Sequence, residues 1–166
     1  SDILPSLLRA SFDEGIALVD YLAKSNDISA RSASVSSLKE LASIDSDAFL
    51  QRIKLPSQDS DRGIKRLFVQ SCLRDYLELD PYDSQEIFVP LWVENDEVAG
   101  IRMRELLLRM QDVNTESFAT IANKITSCAP ESLAKFWEVF AIRNEERAES
   151  WKYYLSGNGA MPEPLY

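Results

Sequence analysis

The residues best suited to chemistry in this chain are acidic, and their densest run is Asp75-Tyr-Leu-Glu-Leu-Asp-Pro-Tyr-Asp-Ser-Gln-Glu86. Carboxylates at such spacing could ligate a hard cation, and on an EF-hand frame Asp75 and Glu86 would take the first and last positions. Leu77 and Leu79 then stand where oxygen ligands are needed, and Pro81 follows the position that needs glycine. The run therefore reads as a solvated helix end and turn. Asp59 and Asp61, and likewise Glu94, Asp96 and Glu97, read as acids at helix starts, where they complement the positive end of the helix dipole.

Other chemistry is limited by composition. The chain has no histidine, so a Ser-His-Asp triad, a Cys-His pair and any histidine-ligated metal site are excluded. Its two cysteines, Cys72 and Cys128, are far apart and too few for a Cys₄ zinc site. They read as buried core thiols. With five glycines there is neither a GxxxxGK[ST] loop nor a GxGxxG fingerprint. No cofactor or metal is expected, and the only open enzymatic alternative is a carboxylate-, serine- or tyrosine-dependent enzyme.

The formal net charge of −9 disfavours phosphate backbones and anionic membranes on average. Arg102, Arg104 and Arg109 leave a local nucleic-acid contact open. The acidic start, with an apolar stretch interrupted by Arg9, Asp13 and Glu14, does not read as a signal peptide. No apolar run approaches the roughly 18 residues of a membrane span. The expected setting is soluble and cytoplasmic, with thiols reduced.

The elements that must position these residues are helices. A stripe at Leu4, Leu8, Phe12, Ile16, Val19 and Leu22 predicts one helix over 4–24, with Ser1 or Asp2 ahead of it and Gly15 as a weakness. The serine-crowded stretch 25–37 reads as a loop, because serine hydroxyls compete for backbone bonds; around Arg31-Ser-Ala-Ser34 it could instead be a phosphorylation switch. A short helix carrying Val35, Leu38 and Leu41 should follow. Another starts near Ser46 and stops before Pro56. Asp61 should cap a helix running to about Leu79 with Ile64, Leu67, Phe68, Cys72 and Tyr76 on one face.

Residues 86–94 combine strand-like composition with Pro90, and a helical turn broken at that proline is expected. Asn95 should cap a helix with Val98, Ile101, Leu106 (or Leu107–Leu108) and Met110 inward, and Thr115–Cys128 should form the next. Pro130 opens a last helix of about 26 residues, spanning close to 40 Å, with Gly157 as its stop. Its polar second half, 143–150, should project or meet a partner. Phe136, Trp137, Phe140 and Trp151 read as core aromatics.

The expected architecture is an all-α bundle of five to seven helices, with one irregular segment near 80–95. A single domain, 1–156, should be followed by a flexible C-terminal tail, 157–166, for which a docked arm or recognition peptide is the alternative. The expected function is that of a non-enzymatic acidic protein-binding module, such as an adaptor, inhibitor or immunity-type protein, meeting a basic protein surface. Trp151, Tyr153, Tyr154, Leu165 and Tyr166 are its candidate contact residues, since Tyr and Trp supply rigid interface area. A self-assembling coat or scaffold subunit, acting as a homo-oligomer, is the alternative.

Overall fold

The computed structural model describes residues 3–94 and 97–165. The candidate caps Ser1, Asp2 and Asn95, the acid Asp96 and the candidate contact Tyr166 lie outside the described residues. Every regular element among the described residues is helical, which makes the chain all-α. Backbone contacts divide it into two compact units, Ser1–Asp80 and Pro81–Tyr166.

The first unit contains α1 (Ile3–Ala10), α2 (Phe12–Ala23), α3 (Ile28–Ile44), α4 (Ser46–Leu50), α5 (Lys54–Ser57), α6 (Arg62–Ser71) and α7 (Leu73–Leu79). The predicted helix over 4–24 is broken at Ser11, whose backbone is extended (φ −147°, ψ 92°). Leu4 and Leu8 are buried on one side of the break and Val19 on the other. The periodic stripe was real, but a 3.6-residue repeat continues across one extended residue without showing it.

The serine stretch departs furthest from expectation. Only 25–27 is a loop: α3 begins at Ile28, capped by Asp27, whose carboxylate accepts the Ser29 amide at 3.0 Å. Two of the hydroxyls that could have competed with the helix find carbonyl acceptors. Ser34 Oγ donates to the Val19 carbonyl on α2 at 2.9 Å, and Ser37 Oγ donates back one turn to Ala33 at 2.8 Å. Both serines are buried, and beside them Val35, Leu38 and Leu41 form the α3 part of the core. Asp61 caps α6 as expected, accepting the Ile64 amide at 3.0 Å. The continuous helix predicted beyond it breaks at Cys72 (φ −125°). Pro56 lies inside α5 rather than beyond a helix end.

The second unit contains α8 (Gln85–Glu94), α9 (Glu97–Val113), α10 (Thr115–Cys128), a 3-10 turn (Pro130–Leu133) and α11 (Ala134–Leu155). The helix of α8 runs through Pro90 instead of breaking there. Proline inside a helix costs about 3 kcal/mol, and flanking burial offsets it: Phe88, Leu91 and Trp92 are all core residues. Trp92 Nε1 also donates to Ser132 Oγ at 2.9 Å. On α9, Val98 and Ile101 are exposed, contrary to the predicted apolar face, and Ala99, Gly100 and Met103 are buried instead. The α10 boundaries match the prediction, with Asn114 accepting the Ser117 amide at 3.2 Å.

The last helix is not the straight rod of about 26 residues. Asn144 has extended backbone (φ −159°, ψ 89°) and divides α11 into two halves. Its side chain accepts the Arg147 amide at 3.1 Å, the geometry of an N-cap for the second half. The consequence is visible between Trp137 and Lys152, which would be about 22 Å apart along a straight helix. The Lys152 ammonium instead lies 5.7 Å from the Trp137 ring. Folding back buries Ala148 and Trp151, and Trp151 meets Phe118 edge-on with centroids 4.6 Å apart. Breaks at Ser11, between α4 and α5, and at Cys72 give more helical elements than the five to seven expected.

Candidate functional site

The C-terminal surface of the second unit is organised by one guanidinium. Arg147 enters from the second half of α11, and its Nε donates to Gln111 Oε1 at 2.6 Å. Its Nη2 donates to the Gln111 carbonyl at 2.8 Å and to the Glu163 carbonyl at 2.9 Å. Asp112 stands 3.9 Å away, and the Arg147 side chain is only 11% exposed. The five fixed donors of arginine suit this three-way tie, which a lysine point charge could not reproduce.

The tail lies along the second unit, held at Glu163 and Leu165. Gly157 stops α11 in the left-handed region (φ 92°), as the sequence predicted. Gly159 (φ 66°) then passes against Tyr153, so closely that a Cβ there would lie 2.9 Å from its ring. The chain continues past Arg147, and the Leu165 amide donates to the Asp112 carbonyl at 2.8 Å.

The candidate contact residues fall in different environments. Trp151 is fully buried, and its ring supports the core rather than the surface. Tyr154 is half-buried with its ring edge-on to Trp151. Tyr153 is 60% exposed and Leu165 is 55% exposed. The carboxylate-bearing residues Glu145, Glu146, Glu149 and Glu163 are exposed on the same helix half and tail. The candidate nucleic-acid arginines are not gathered on one face: Arg104 is about 160° around α9 from Arg102 at 100° per residue. Arg102 is also committed to Glu105 at 3.4 Å.

The first unit holds a groove that sequence reading missed, with a cavity volume of about 480 Å³. Its apolar floor comes from Val19 on α2, Val35 and Leu38 on α3, and Ile64 on α6. Two Arg–Asp clasps line it. Arg52 Nε and Nη2 donate to the two oxygens of Asp20 at 2.8 and 3.1 Å. Arg31 Nε and Nη2 donate to those of Asp59 at 2.9 and 3.4 Å, while its Nη1 donates to the Ser25 carbonyl. These residues are separated by about 30 positions in sequence, so no local motif announces them.

The two cysteines differ. Cys72 is fully buried, and burial first, then the nearby Asp75 charge, pushes its thiol up to about 12. Cys128 is exposed, not the buried core thiol expected. Asp75 itself is raised, chiefly by burial and then by Glu78. Among the described residues, no group of three acidic or cysteine side chains is arranged to hold a metal. No helix among them is long and apolar enough to cross a membrane. No protein-family model, curated protein or solved structure matches the chain.

Proposed function

We propose that the chain is a non-enzymatic protein-binding module whose contact surface is the outer side of the second half of α11 and the arm docked beside it. The observation that carries this reading is the Arg147 tie. It holds the arm at Glu163 while Tyr153 and Leu165 remain exposed. An arm fixed before binding loses little conformational entropy on association. Exposed tyrosine and leucine supply apolar contact area, and Glu145, Glu146 and Glu163 favour a partner with a basic surface, Glu149 being paired with Lys152 at 3.1 Å.

The test is crosslinking and capture from the native host with wild-type chain, Tyr153→Ser and Glu146→Lys. The expected partner crosslinks near Tyr153 and is lost with both variants. A partner retained equally by both would sink this reading.

Self-assembly is a second reading, favoured by Val139 and Ile142, one turn apart on α11 and respectively 37% and 88% exposed. Sedimentation at several concentrations separates the two. A strict monomer removes the assembly reading, and a concentration-dependent oligomer abolished by Ile142→Asp supports it.

A further inference from the structure

We infer that the groove of the first unit is a second docking site, for a segment of a partner protein that presents an apolar side chain beside carboxylates. The floor of Val19, Val35, Leu38 and Ile64 is apolar, and on its edge Leu55 is 51% exposed. A leucine left half in water at the mouth of an apolar recess gains by being covered.

The charges at the groove identify the occupant. Arg52 and Arg31 are already neutralised by Asp20 and Asp59. Lys24 and Lys54 also line the groove, both are exposed, and neither has an ion-pair partner among the described residues. The mouth is thus locally positive in a chain whose net charge is −9. A basic segment would be repelled by these lysines, and an uncharged one would leave them unmatched. A carboxylate-bearing segment answers both ammonium groups while its apolar side chain enters the recess. The cavity volume of about 480 Å³ accommodates side chains of such a segment.

This groove has the opposite charge preference to the acidic surface on α11.

The experiment selects a displayed library of random peptides against the full chain and measures the selected peptides by fluorescence anisotropy. Expected are peptides with Asp or Glu adjacent to Leu, Ile or Phe, whose affinity falls with added salt. Their affinity should drop about tenfold or more for Lys24→Glu/Lys54→Glu and for Leu55→Asp. These substitutions change only exposed side chains, and circular dichroism confirms that each variant is folded. Glu146→Lys should leave the affinity unchanged. The inference is overturned if no peptide is enriched, if the selected peptides are basic or uncharged, or if binding ignores the groove variants. Peptides that respond to Glu146→Lys alone would overturn the groove and leave the α11 surface standing.

Discussion

Arg147 and Gln111 are joined twice, through the Gln111 side-chain oxygen at 2.6 Å and its backbone carbonyl at 2.8 Å. Gln111 is itself 1% exposed, so its oxygen has no access to water as a substitute partner. Arg147→Met should therefore leave a buried acceptor unsatisfied and cost about 1–3 kcal/mol. It should also release the Glu163 carbonyl. The checks are urea denaturation and amide exchange, with faster exchange expected at Leu165. Arg147→Lys should recover only part of the loss, because one ammonium cannot span the three acceptors.

Gly15 gives a prediction opposite in sign to helix propensity. A Cβ on Gly15 would lie 2.8 Å from the Leu8 Cα, a backbone atom that cannot swing aside. In an open helix Gly→Ala would stabilise by about 1 kcal/mol. Here Gly15→Ala should destabilise by about 1–3 kcal/mol, by forcing α1 and α2 apart. A raised urea midpoint for this variant would contradict the close approach.

The apparent weakness of Gly15 shows where reading the sequence stops. Signals contained within one element were legible: the Asp61 cap, the α10 boundaries and the Gly157 stop all depend on neighbours within a few residues. Features set by another element were not. Gly15 is explained only by Leu8, and the Ser34 hydroxyl is answered by the Val19 carbonyl of another helix. The groove gathers Val19, Leu38, Lys54 and Ile64 from separate helices, so no spacing rule could find it. On the C-terminal side, Tyr153 and Leu165 stood out in the sequence as candidate contacts, and both are exposed. The Arg147 tie was hidden in the polar half of the last helix, which was expected to project or meet a partner.

Asn144 tests the fold-back of α11. Its side chain accepts the Arg147 amide at the start of the second half. Asn144→Ala removes that acceptor and favours helical backbone at the break, so it should cost about 1 kcal/mol. Asn144→Asp keeps the acceptor and should stay close to wild type. The specific signature is Trp137 fluorescence, since Lys152 lies over that ring only when the halves fold back. An unchanged Trp137 environment in Asn144→Ala, together with unchanged stability, would remove Asn144 as the cap.

Cys72 and Cys128 should separate by reactivity and by pH. In the native chain a thiol-reactive dye should label exposed Cys128 promptly and spare Cys72 until unfolding. The folded-state thiol of Cys72 is pushed up to about 12 from 9.0 by burial, ahead of the Asp75 charge. Between those values the unfolded chain has lost the proton and the folded chain has kept it. The resulting stability is fully present below pH 9.0 and is lost as pH rises toward about 12. The slope contributed by this one group approaches about 1.4 kcal/mol per pH unit. Cys72→Ala removes the titrating group, so urea stability measured at rising alkaline pH should fall less steeply than in wild type, despite a lower starting value from the lost sulfur. Parallel slopes for the two proteins would mean that Cys72 titrates as freely in the folded chain as in the unfolded one.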